Sequence, residues 1–180
     1  LLALSISTSI AEAQELAQIV ANDPGPRDAL GQALAMSGNT IIASAQFDDA
    51  PEGDRGSAYV FVGNGASWTQ QAKLTASDGK TLEYFASSVA ISGDTAAIGA
   101  YGDDHVDFTN TNQGSAYVFV RTGTVWSEQA KLIASDAALN DQLGLAVTVQ
   151  GDTIAVSAPY DDDLGANSGS VYVFVRAGTA

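Results

Sequence analysis

The chain has 180 residues, of which 46% are hydrophobic, 18 are glycine and none is cysteine. That apolar content supports a buried core and excludes a disordered chain, while the missing cysteine excludes disulfides, thiolate metal sites and a cysteine nucleophile. Seven basic residues stand against 21 acidic ones, a net charge of −14, which argues against nucleic acid and anionic membranes as partners and suits an exported protein or a cation binder.

In chain order, residues 1–13 come first. They read LLALSISTSIAEA, an apolar run closed by the small-x-small triplet Ala11-Glu12-Ala13 before Gln14. This reads as the remnant of a secretory signal peptide, too short to cross a bilayer. The expected location is therefore extracytoplasmic, secreted or on the cell surface, with no membrane insertion. Residues Glu15–Asp23 (ELAQIVAND) match Glu128–Asp136 (EQAKLIASD). They are predicted as an orphan strand closing a preceding unit.

From there the chain repeats itself. GSAYVFV at Gly56–Val62 recurs at Gly114–Val120 and, as GSVYVFV, at Gly169–Val175. SGNTIIASA at Ser37–Ala45 recurs as SGDTAAIGA at Ser92–Ala100 and QGDTIAVSA at Gln150–Ala158. WTQQAKLTASD at Trp68–Asp78 recurs as WSEQAKLIASD at Trp126–Asp136. The spacing alternates between 55 and 58 residues, and units fall near 31–84, 85–142 and 143–180. A period of this size indicates a repeat architecture.

The middle unit shows the expected anatomy. Ser87–Ser92 is a short strand, Gly93-Asp94 a tight hairpin turn, and Thr95–Ala100 a second strand of small residues. A polar loop, Tyr101 to Gln113, leads to Ser115–Arg121, rich in β-branched and aromatic residues. Thr122-Gly123-Thr124 turns into a fourth strand over Val125–Ala134. The third strand is apolar on both faces, Tyr117 and Phe119 on one and Ala116, Val118 and Val120 on the other, so both must be covered. Four-stranded units stacked face to face make an all-β propeller, here about three blades of a larger one. Trp68 and Trp126 recur at one place in the repeat, which assigns them to packing rather than to ligand stacking.

These residues resemble the FG-GAP repeat of integrin-like proteins, in its bacterial form, over roughly residues 15–177. The first element of that repeat reads Leu30-Gly31, Phe85-Ala86 and Leu143-Gly144; the second reads Ser44-Ala45-Gln46, Gly99-Ala100-Tyr101 and Ser157-Ala158-Pro159. The resemblance implies a propeller that binds a protein or glycan ligand through its loop-rich face, as in adhesion. Integrin-like units carry a calcium loop between the two elements. Here that interval holds only the hairpins Gly38-Asn39, Gly93-Asp94 and Gly151-Asp152, so that loop is absent.

Acidic residues cluster instead in the next loop. Asp48 and Asp49 stand in the first unit, Asp103, Asp104 and Asp107 in the second, and Asp161, Asp162 and Asp163 in the third. Calcium takes six to eight oxygens, several from carboxylates on a bent loop, which makes these eight aspartates candidate calcium ligands. Solvated turns would use aspartate too. A second acidic pair, Asp136 with Asp141, repeats as Asp23 with Asp28 and, in the remaining unit, as Asp78 with Glu83; turn chemistry explains it. The single histidine, His105, has no nucleophile motif near it, and no phosphate-binding loop occurs. The reading is a non-enzymatic binding module. The alternatives are a structural spacer within a larger surface protein and, last, a propeller-fold hydrolase or lyase.

Overall fold

A computed structural model describes residues 14–48, 53, 55–104 and 111–177. The signal-like segment 1–13 lies outside them. The described residues form an all-β structure of three antiparallel sheets. The first holds β1 (Leu34–Ser37), β2 (Thr40–Ala45), β3 (Ser57–Asn64) and β4 (Ser67–Leu74). The second holds β5 (Phe85–Ser92), β6 (Thr95–Ala100), β7 (Ser115–Thr122) and β8 (Val125–Leu132). The third holds β9 (Val147–Gln150), β10 (Thr153–Ala158) and β11 (Ser170–Val175). Strands follow one another in sheet order as they do in the chain, the meander of a propeller blade.

The registers repeat between blades. Thr40 faces Val62 as Thr95 faces Val120. A bulge between Val60 and Phe61 recurs between Val118 and Phe119. It leaves Gln71 and Gln129 outside the ladder on the fourth strands, and the extra residue turns the strand locally.

The two-faced third strand explains the stacking. Tyr117 and Phe119 of the second blade join Ile42, Val60 and Leu74 of the first in one core. Ala116 and Val118 join Ile154 and Val156 of the third blade in another. Each fully buried side chain of this size contributes about 1.5–3 kcal/mol, and neither face could be left wet. The first strands β1, β5 and β9 lie side by side, and β6 (TAAIGA), one strand out, is buried along its whole length. Small residues let the backbones converge there.

Residues 15–23 are a correction to the sequence reading, since they form no ladder. A fourth strand needs a third to pair with, and the described residues hold none at that place. The segment still packs as a fourth strand does: Ile19 and Ala21 reach the core of Tyr59 and Phe61, and the Asn22 amide donates to Gln70 at 2.8 Å.

Neighbouring blades meet closely at the glycine that opens the third strand in the second blade. Gly114 has φ +82°, and a Cβ there would stand 2.1 Å from the Leu143 carbonyl oxygen of the next blade. Gly169, its counterpart in the third blade, has φ +75°, but the nearest atom to a Cβ would be the Pro159 oxygen at 3.1 Å. Gly114→Ala is therefore expected to cost about 2–4 kcal/mol, backbone strain plus overpacking, and Gly169→Ala only the strain, about 1–2 kcal/mol. Denaturant unfolding of the two variants checks the order.

Candidate functional site

The loops after β2, β6 and β10 and those after β4 and β8 open on the same side, because these strands run in the same direction. That face carries the acidic loops picked out in the sequence, whereas Asp94 and Asp152 stand in the hairpins on the opposite side. Three of the loop acids point inward. Asp48, Asp103 and Asp161, the first aspartate of each loop, are only 2%, 1% and 2% exposed.

Each is held by a tyrosine from the third strand and, in two blades, by a lysine from the fourth. The Tyr59 hydroxyl donates to Asp48 at 2.5 Å, and Lys73 lies 2.8 Å from the same carboxylate. In the second blade Ser115 donates to Asp103, Lys131 reaches it at 2.6 Å, and the Tyr117 hydroxyl lies 3.3 Å away. Both ammonium groups also sit 5.2 Å from the centroid of the tyrosine ring beside them, a cation–π contact.

The same groups tie one blade to the chain before it. Lys73 pairs with Asp23 at 2.8 Å and Lys131 with Asp78 at 2.7 Å. Tyr117 donates to Asp78 at 2.7 Å, and the Tyr172 hydroxyl lies between Asp161 at 2.6 Å and Asp136 at 2.8 Å. Burial would lower the Lys131 ammonium, but hydrogen bonds to Asp103 and Asp78 outweigh it and raise its pKa. Burial likewise opposes ionisation of Asp78, yet hydrogen bonds from Lys131 and Tyr117 hold it below its ordinary value. Tyr59, Tyr117 and Tyr172 are raised, first by burial and then by the neighbouring carboxylates.

The second acidic position is also structural. Asp28, Glu83 and Asp141 are buried and accept the backbone N–H three residues earlier, at Gly25, Lys80 and Ala138. Left-handed residues flank each carboxylate: Arg27 and Ala29, Leu82 and Tyr84, Asn140 and Gln142. The side chain supplies the acceptor that this unusual backbone lacks locally. Burial is the main reason why Glu83 and Asp141 sit above the ordinary carboxylate value.

The remaining candidate ligands divide as follows. Asp104 shapes its loop, one oxygen accepting from the amides of Thr111 and Asn112 at 2.7 Å and from the Thr111 hydroxyl at 3.0 Å. Asp162 and Asp163 are exposed, and Asp163 is raised first by the charge of Asp161. Asp49, Asp107 and His105 lie outside the described residues. Among the described residues no three His, Cys, Asp or Glu side chains are grouped to hold a metal.

An aromatic trio on this face escaped the sequence reading. The Tyr84 and Tyr101 rings stack 5.0 Å apart and 11° from parallel, and Phe47 meets Tyr84 edge-on at 6.4 Å. All three are half-buried and come from two blades and the loop between them. Lys73, Lys131 and the three tyrosines were missed as well, although the spacing of tyrosine and lysine, 14 residues in both units that have the lysine, was visible. Trp126 behaves as expected: its indole N–H crosses to Gln71 of the preceding blade at 3.0 Å.

The repeat has a family match. The family model for the FG-GAP repeat matches residues 14–61, 68–119 and 126–174. The chain belongs to the FG-GAP repeat family. No curated protein matches it. Each matched FG-GAP segment starts with a fourth-strand sequence and ends in the third strand of the next blade. The family unit therefore straddles two blades, and the Asp78–Lys131–Asp103 bridge joins successive units.

Opposite pKa shifts fix the pH profile. Glu83 and Asp141 are raised on folding, so their contribution is lost as pH rises through their folded values and regained as pH falls. Asp78 is depressed, so its contribution holds above its unfolded value and is lost as pH falls through the folded one. Melting temperatures from about pH 8 to about pH 3 should rise first and then fall. Glu83→Gln should flatten the neutral limb and Asp78→Asn the acid limb.

Proposed function

We propose that the chain is a non-enzymatic module of an extracellular or cell-surface propeller that binds a protein or glycan ligand on its loop face. The observation that carries this reading is the half-exposed Phe47–Tyr84–Tyr101 stack, set among acidic loops on a rigid β scaffold. Stacked aromatic faces suit the apolar face of a sugar ring or an interface anchor, where such side chains carry most of the binding energy. Function placed on loops over a rigid scaffold is the common arrangement. FG-GAP repeats typically occur in surface proteins, which supports the location.

A spacer role is the second reading. The inter-blade bridges favour it, since they stiffen a stack without presenting anything to a partner. The two readings separate on a glycan and surface-protein array probed with the chain and with Tyr101→Ala. Loss of an anchoring aromatic is expected to weaken a captured ligand by about 30-fold, roughly 2 kcal/mol, with the melting temperature unchanged. An array with no ligand sensitive to Tyr101 leaves the spacer.

Calcium assistance is the narrower form of the binding reading. Asp48, Asp103 and Asp161 already serve tyrosines and lysines, so among the described residues it falls to Asp162 and Asp163. Calcium titration calorimetry beside a melt in chelator checks it. Saturable heat that Asp163→Asn removes supports calcium; no heat and no shift removes it from the reading.

A further inference from the structure

Resting on the binding reading above, we propose that the ligand is a neutral oligosaccharide of flat, equatorially substituted pyranoses. Tyr101 stacks on one sugar, and the side-chain amides of Asn112 and Asn140 hold the hydroxyls of the next.

The stack stands where the second unit departs from the repeat. Tyr84 replaces Ala29 and Gln142 of the other units, and Tyr101 replaces Gln46 and Pro159. A third departure makes room for them. Gly102 stands where the other units have Phe47 and Tyr160. A Cβ at Gly102 would stand 2.8 Å from Cδ2 of Tyr84 and 2.7 Å from the Leu82 carbonyl oxygen. Tyr84 meets Phe47 edge-on and carries the Tyr101 ring on its face. Tyr101 ends this row and is half-buried. A ring already fixed by its neighbour loses little freedom when a ligand settles on it.

The amides lie on the continuation of the same loop. Tyr101 precedes Asp104 by three residues, a chain reach of about 11 Å at most. Asp104 accepts from the backbone of Asn112 at 2.7 Å. Asn112 and Asn140 both take the left-handed conformation, with φ +42° and +67°, which asparagine tolerates. Their backbones are tied across the blade boundary, Asn140 N–H to Thr111 at 2.7 Å and Gln142 N–H to Asn112 at 3.1 Å. The Asn112 side chain donates to that of Asn140 at 3.4 Å. That contact leaves the Asn112 carbonyl and the Asn140 NH2 side by side, an acceptor next to a donor. Two adjacent hydroxyls, each able to donate and accept, fit that pair.

The ligand class follows from these parts. In an all-equatorial pyranose the ring C–H bonds are axial, so both faces are flat and apolar and the hydroxyls project from the rim. One face stacks on an aromatic ring while the rim reaches the amides. The net charge of −14 repels sulfated and carboxylated glycans. A protein partner would want about 800 Å² with an apolar centre, whereas uncharged amides flank this stack.

Calorimetry of the intact chain with a short cello-oligosaccharide, beside a hyaluronan oligosaccharide of equal length, tests the proposal. Saturable heat is expected with the first, and binding about tenfold weaker or worse with the second. Saturation-transfer NMR should mark the axial ring protons of the bound sugar. Tyr101→Ala and Asn140→Gly should each weaken binding about tenfold, the scale of a lost anchoring contact or hydrogen bond. Glycine suits the left-handed position 140, so the melting temperature should hold. Tyr101→Phe keeps the ring and should bind as the parent does. Tyr160→Ala removes a ring that is 44% exposed in the third blade and should change nothing. The proposal is overturned if the cello-oligosaccharide gives no heat, if hyaluronan binds equally well, or if both weakening substitutions are without effect. A Tyr101-dependent protein ligand with no sugar bound overturns it and leaves the binding reading in place; an array with no Tyr101-sensitive ligand removes both.

Discussion

The stack depends on the fourth-strand lysine. Lys131 holds Asp103 of its own blade and Asp78 of the chain before it, at 2.6 and 2.7 Å. Apolar burial alone would bring the blades together, since it is non-directional. The ammonium sets how they meet. Two carboxylates that would repel each other are drawn to one cation, and the phenol of Tyr117 adds a donor to the same group. Removal of the lysine would leave a buried carboxylate uncompensated, which costs far more than the bridge itself contributes.

The offset between repeat and blade makes this arrangement economical. A FG-GAP unit such as 68–119 runs from β4 through β7, so it closes one blade and opens the next. The covalent chain thereby crosses every blade boundary that the lysine bridges. Trp126 acts at the same boundary, from the hairpin side, through Gln71. Trp68 shows what the partner decides. The residue at the Gln71 position before it is Leu16, and its indole N–H turns back to the carbonyl of Gly65 at 2.6 Å.

The fold was legible because repetition adds up weak signals. A single SAYVFVR could be an edge strand or a buried one; three copies at one place, apolar on both faces, leave only stacking. The second strand Thr95–Ala100 came out residue for residue, and the first and fourth strands within two residues at each end. Residues 15–23 were misread because a strand is defined by its neighbour, and the match to 128–136 does not reveal whether a neighbour exists. The site was less legible. Asp48, Asp103 and Asp161 were seen as loop acids, but nothing in one loop shows that its first side chain turns inward. Their partners lie 11 to 28 residues along the chain, at Tyr59, Tyr117, Tyr172, Lys73 and Lys131. The repeat did display that pattern, an aspartate followed 11 or 14 residues on by a tyrosine and, in two units, by a lysine 14 residues after the tyrosine. It carried the information that composition concealed.

The acidic charge follows from the same logic. Asp103 receives Lys131, Asp78 receives Lys131 and Tyr117, Glu83 caps a left-handed turn, and Asp94 orients Arg121. That is four carboxylates at one blade boundary serving the scaffold, and one lysine and one arginine answering them. Copied along a repeat array, this ratio makes the chain strongly acidic whether or not it binds a cation. Part of the net charge of −14 is thus the signature of how the blades are joined. What distinguishes one boundary from the next lies where the repeat is broken. The Tyr84–Tyr101 stack stands where the other units place Ala29 with Gln46 and Gln142 with Pro159. A residue pair that differs from unit to unit and lies half-buried outside the blade joints can vary without disturbing the fold.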